Sequence, residues 1–217
     1  MLDHASLKDK QRRLRDGFPE TMGLKVHRAL SWVGRAEKEG EKDPDAAFLF
    51  LWIAFNALYA DMDLSSEQER ARFRNHFAQL VALDRERRIY DAVWQRFAGP
   101  IRLFMKSPYV FQPFWQFVHG IPGHEDWQER HLQAAHAFKR AVECGDTAAI
   151  LSMLFDRLYV LRNQLFHGGA TWNSTVNREQ VRDGAAILGC LVPLFIDIMM
   201  DHPDADWGQP HYPVVKE

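Results

Sequence analysis

The chain has 217 residues, 47% of them hydrophobic, and a formal net charge of -2. That length fits one substantial core and is short for two domains, while the apolar content excludes disorder over most of the chain. The near-neutral charge excludes a broad basic surface that holds nucleic acid by counterion release alone, but leaves room for a small local phosphate site.

Residues 1–16 are rich in charge with no apolar leader, and 1–18 are expected to form an N-terminal extension. Leu24, His27, Leu30 and Ala36 fall near helical spacing and predict an amphipathic helix over 20–39. Asp43-Pro44 reads as an N-cap followed by Pro at the first helical position, where no N–H is needed. The helix it opens, 45–62, is apolar on nearly every face and belongs at the centre of a fold. Ser65 with Gln68, or Ser66 with Glu69, offers a capping box for a polar helix reaching about residue 83. Its apolar stripe is Phe73, Phe77, Leu80 and Val81.

A fourth helix is expected over 84–97, stopped by Gly99-Pro100, and 100–122 reads as short turns and loops broken by Pro108 and Pro113. A further amphipathic helix over 125–143 closes at Cys144-Gly145. Asp146 then caps a long helix ending at Phe166 or His167, where Gly168-Gly169 supplies a left-handed stop. The last helix covers 177–200, with a kink expected at Pro193, and 202–217 forms an extended arm. Hairpin signals are missing, so the expected fold is all-α, a single domain over 1–217. The apolar stretches 46–60 and 185–200 fall short of the roughly 20 residues that span a bilayer, so both read as core helices and no membrane contact is expected. The thiols Cys144 and Cys190 form no C-x-x-C pair, which points to inert thiols in a reducing, cytoplasmic setting.

The most informative segment is Arg162-Asn163-Gln164-Leu165-Phe166-His167-Gly168-Gly169. Arg followed by His after a short gap is weak by itself, since Arg70–His76 and Arg130–His136 repeat it on charged helices. Arg162 and Asn163, however, interrupt a strongly apolar helix, where a guanidinium needs a partner or a ligand. His167 falls at the helix C-terminus, where the dipole favours imidazolium. Asn163 and His167 are four residues apart and share a face. Arg162 and His167 are about 140° apart around an ideal helix, so a two-fold dimer would be needed to gather both groups in one cleft.

Leu161-Arg162-Asn163-Gln164-Leu165-Phe166-His167-Gly168 resembles the signature of HEPN domains: Arg, a polar residue, then His and Gly. The stretch Leu51-Trp52-Ile53-Ala54-Phe55-Asn56-Ala57-Leu58-Tyr59 resembles the first core helix of bacterial members. The resemblance implies a HEPN-like helical bundle with peripheral helices, often a homodimer. It also implies a metal- and cofactor-independent endoribonuclease, as in toxin–antitoxin or defence systems. Arg162 would contact the scissile phosphate, His167 would act as general acid/base, Asn163 would support them, and Asn56 would stand behind them if it reaches the site. The same resemblance allows a catalytically silent module that binds nucleotide, RNA, an antitoxin or another protein partner.

Structural readings compete with these roles. His167 can serve as a helix cap, with Arg162 paired to a carboxylate such as Asp156 or Asp197. Asn56 reads first as a satisfied buried amide. His124, Glu125, Asp126, Glu129, His131 and His136 lack the spacing of a metal motif, so no metal site is expected. Tyr109, Phe111, Phe114, Trp115 and Phe117 read as a packed loop in preference to a base-stacking surface.

Overall fold

The computed structural model describes residues 2–59 and 66–214, without the side chains of 41 and 66–72. Among the described residues there are ten α-helices and no strand. In chain order they are α1 (His4–Leu14), α2 (Glu20–Glu39), α3 (Pro44–Tyr59), α4 (Ser66–Leu83) and α5 (Arg88–Asp91), followed by α6 (Ala98–Lys106), α7 (Gln112–Val118), α8 (Trp127–Glu143), α9 (Thr147–Phe166) and α10 (Arg178–Asp201).

Helix α3 is the axis of the core. Asp43 Oδ1 accepts the Ala46 N–H at 3.0 Å, and Pro44 takes the first position. Phe48, Leu51, Trp52, Phe55 and Leu58 are all buried. Phe55 meets Phe155 of α9 at 4.5 Å between ring centres and Phe195 of α10 at 6.4 Å. On another face Phe50 stacks on Trp32 of α2. A helix apolar all round has therefore found neighbours on several sides, as its composition demands. The capping box expected at Ser65–Glu69 lies outside the described side chains.

Helix α10 runs past its expected end to Asp201, and every residue from Leu191 to Met200 is buried. It is long and apolar enough to cross a membrane by length and composition, which corrects the shorter span expected, but 78% of its most apolar window is buried inside the fold. Pro193 lies within it, buried, without ending the helix.

Three segments depart from expectation. The N-terminal extension contains a helix: Asp3 and Ser6 form a reciprocal cap, and Leu7 is buried in the core. Only Leu7 and Gln11 of α1 are buried, too few to show as a stripe among the charges. The helix expected over 84–97 is broken instead. Asp84 Oδ2 accepts the Ile89 N–H at 2.6 Å and Arg87 turns left-handed at φ 57°, so the chain restarts at Arg88. A wide turn follows, with Phe97 N–H donating to the Ala92 carbonyl at 2.9 Å. Gly99-Pro100 does not stop a helix but begins α6, because a proline in a first turn removes no helical hydrogen bond. Pro113 plays the same part in α7, so 100–122 is more helical than its prolines suggest.

Beyond α10 the described chain, to residue 214, forms turns and irregular structure and is pinned down. Lys25 Nζ, itself buried, donates to the Trp207 carbonyl at 2.8 Å, and Gln79 Nε2 donates to the Asp206 carbonyl at 3.0 Å. Arg28 Nη1 donates to the Tyr212 carbonyl at 2.6 Å, and the Trp207 ring is buried.

Candidate functional site at the end of α9

Helix α9 begins where Asp146 Oδ1 accepts the Ala149 N–H at 2.9 Å. It ends with Gly168 at φ 71° and Gly169 N–H donating to the Gln164 carbonyl at 2.7 Å, the left-handed closure that the Gly pair predicts. The loop that follows is tied to the start of α3. Buried Asp45 accepts from Arg178 at 2.8 Å and from the Asn173 N–H at 3.2 Å. Asn177 Nδ2 donates to Gln164 Oε1 at 2.7 Å. A fixed loop thus holds the motif at a defined end of the bundle.

Arg162 is half-buried. Its Nη1 donates to Asn163 Oδ1 at 2.9 Å, and its Cζ lies 4.3 Å from the centre of the Phe166 ring. Among the described residues it pairs with no carboxylate. Asp197, one expected partner, instead binds Lys10 Nζ and Arg88 Nη1, each at 2.6 Å. Asn163 uses its amide oxygen on Arg162, while its backbone carbonyl accepts the His167 N–H at 3.0 Å. His167 is exposed and stands edge-on to Phe166, 5.6 Å between ring centres at 89°. Phe166, 64% exposed, therefore links the two side chains and offsets part of their separation around the helix. Trp172 and Val176, in the loop that follows, are exposed apolar residues as well.

Asn56 is not brought to this end. A Cβ on Gly184 would touch both Phe48 and Leu158, whereas Phe55 packs on Phe155, so α3 and α9 run in opposite directions. Asn56 accordingly lies at the level of Phe155, some 10 Å along the axis from Arg162 at the usual helical rise. It is half-buried and makes no side-chain hydrogen bond among the described residues.

The other candidate groups resolve differently. His131 packs its ring on Phe111 at 5.1 Å, and its Nε2 is shut away without a partner. Burial, then the charge of Arg157, holds this imidazole below its ordinary pKa. His124 Nδ1 lies 3.4 Å from Arg130 Nη1. Among the described residues no group of three or more His, Cys, Asp or Glu can share a metal ion. The aromatic run interlocks: Trp115 Nε1 donates to the Tyr109 carbonyl at 2.7 Å, and Phe114 meets Trp127 edge-on at 5.0 Å.

Sequence reasoning missed Arg157. It is 6% exposed and lies 4.3 Å over the Phe111 ring, with one hydrogen bond among the described residues, from Nη1 to the Val110 carbonyl at 3.5 Å. Burial lowers its pKa to about 10, against the opposing pull of Asp156. The signal was present: Leu154 and Leu161 put Arg157 on the most apolar face of α9, a stronger form of the argument applied to Arg162. A cleft of about 700 Å³ opens beside it between α7, α8 and α9, with Arg130 and His124 on its wall.

In comparisons with known proteins, the chain matches no family model, no curated protein and no solved structure.

Proposed function

We propose that this all-α chain is a HEPN-like bundle acting as a metal-independent endoribonuclease, with Arg162 and His167 from two copies meeting in one cleft. The observation that carries the reading is Arg162, which pairs with no carboxylate among the described residues and shares the exposed Phe166 ring with His167. A guanidinium turned from Asn163 toward phosphate offers a planar fork to two non-bridging oxygens. An imidazole beside it takes the 2′-OH proton as the 2′ oxygen attacks phosphorus. The 5′ oxygen then leaves with a proton from the protonated imidazole of either copy, giving a 2′,3′-cyclic phosphate and a free 5′-hydroxyl. Bonds and charge balance without metal or cofactor. Asn163 positions Arg162, and Asn56, which belongs to α3, is given no direct part.

The setting that fits is cytoplasmic, in a toxin–antitoxin or other defence system. A second reading is a silent module that binds RNA, nucleotide or a protein such as an antitoxin. It draws on the exposed apolar residues Phe166, Trp172 and Val176, which suit a protein partner as well as a second copy.

The test is RNA cleavage in EDTA by wild type and His167→Ala, with products typed by their ends. Cyclic phosphate ends from wild type alone support the enzyme. RNA bound and left intact by both proteins supports the silent module.

A further inference from the structure

The lining of the cleft beside Arg157 reaches along α9 as far as Val160 but includes neither Arg162 nor His167, so the proposed ribonuclease gives it no part. A guanidinium carries five N–H donors. At Arg157 a single long bond to the Val110 carbonyl uses one of them, and among the described residues no carboxylate bonds to it. Its face is covered by Phe111, which leaves the in-plane N–H edge as the part that can still bond. A buried cation served so poorly weakens a fold unless something completes it.

The cleft supplies the room. Its volume, about 700 Å³, lies within the range of small-molecule sites. Met105, Val110, Phe111, Met153 and Val160 make much of its wall apolar. Its other cation is already engaged: Arg130 Nε pairs with Asp126 at 2.8 Å and Nη2 donates to the Gly123 carbonyl at 2.8 Å. Asp156 adds a negative charge to the same wall. With Asp156 nearby but not hydrogen-bonded to it among the described residues, the Arg157 guanidinium keeps an open N–H edge facing largely apolar walls, which suits a single carboxylate on an apolar body. A dianionic phosphate would find too little positive charge here, and a neutral ligand would leave Arg157 unpaired.

We propose that this cleft is a binding site for a small monocarboxylate with an apolar, ring-bearing body, its carboxylate taken by the in-plane edge of Arg157. The two carboxylate oxygens accept two parallel N–H bonds, the geometry that the guanidinium fork favours. The body lies among Met105, Met153 and Val160.

The test uses the full chain and titrates 3-phenylpropionate, its neutral amide 3-phenylpropionamide and inorganic phosphate by calorimetry and ligand-observed NMR. The acid is expected to bind at least tenfold more tightly than the amide, and phosphate alone not to compete with it. Arg157→Met should abolish binding and raise the melting temperature of the free protein, because an under-bonded buried cation is replaced by a shorter, apolar thioether. Ala134→Phe, which fills the cleft from α8, should block binding with Arg157 intact, and decides the matter if Arg157→Met does not fold. Equal binding of acid and amide, competition by phosphate, undiminished binding by Ala134→Phe, or no binding at millimolar acid each overturns the proposal. None of these outcomes depends on ribonuclease activity.

Discussion

Gly184 on α10 faces the Phe48 ring of α3 so closely that a Cβ added there would lie 2.8 Å from Phe48 Cε2, and 3.2 Å from Leu158 Cδ2. All three helices of the central core meet at this point. Gly184→Ala should therefore lower stability by about 1–3 kcal/mol, the usual cost of overpacking. Gly189→Ala, one turn on, places its Cβ at an ordinary 3.6 Å from Leu51 Cδ1 and should gain about 0.5–1 kcal/mol from helix propensity. Urea unfolding of the pair measures both; a neutral Gly184→Ala would mean that α3 and α10 can slide apart.

Asp197 holds Lys10 of α1 and Arg88 of α5 against α10, at 7% side-chain exposure. Asp197→Ala strands both cations. Lys10 keeps Asp201 at 2.7 Å and Arg88 keeps Glu86 at 3.4 Å, so the loss should be about 3 kcal/mol, at the low end for a broken buried pair. Denaturation midpoints at constant m-value report it.

Protonation of His76 should make the fold acid-sensitive. Its Nε2 is enclosed without a partner, and burial, with the charge of Lys25, lowers its pKa to about 3. The unfolded chain takes up this proton below about pH 6.5, whereas the folded chain resists until about pH 3. The associated stability is complete above pH 6.5 and is lost as pH falls through that window, by at most about 1.4 kcal/mol per pH unit. Carboxylates titrate there too, so the readout is the difference between wild type and His76→Phe. The variant should lose stability more slowly on acidification; parallel curves would remove His76 from the account.

If the α9 end is a dimer cleft, the exposed apolar residues Phe166, Trp172 and Val176 should be its contact. Light scattering of wild type should give twice the 25.3 kDa chain mass, and Val176→Glu should return it to one. Cleavage should fall with the dimer. Arg162→Lys should retain the dimer but lose most of the activity, since an ammonium cannot reproduce the guanidinium fork on phosphate.

The parts of this structure legible in the sequence were those written in local signals. Asp43-Pro44, Asp146 and Gly168-Gly169 each mark a helix end through the backbone groups beside them, and each end lies where they put it. The packing of α3 on α9 followed from apolar faces that had no sheet to cover them. What stayed hidden depends on partners distant in sequence. Nothing near Lys10 announces Asp197, and nothing near Arg157 announces the Phe111 ring that covers it. At the candidate site, Arg162 and His167 were found by pattern. That Phe166 joins them, and that Asn56 stays away, follows from how α9 ends and how α3 runs beside it.

The placement of α10 across α3 sets an order on the making of this protein. Phe48, Leu51 and Phe55 emerge early in synthesis, yet the residues that cover one of their faces, Gly184, Gly189 and Phe195, follow more than 100 positions later. Loop closure over such a span must precede the contacts that reward it. A ribosome-bound chain short of α10 therefore displays an open aromatic face, the kind of surface that chaperones hold and that aggregates when crowded. This bundle closes late, and slow emergence of the segment that carries α10 prolongs its most vulnerable state.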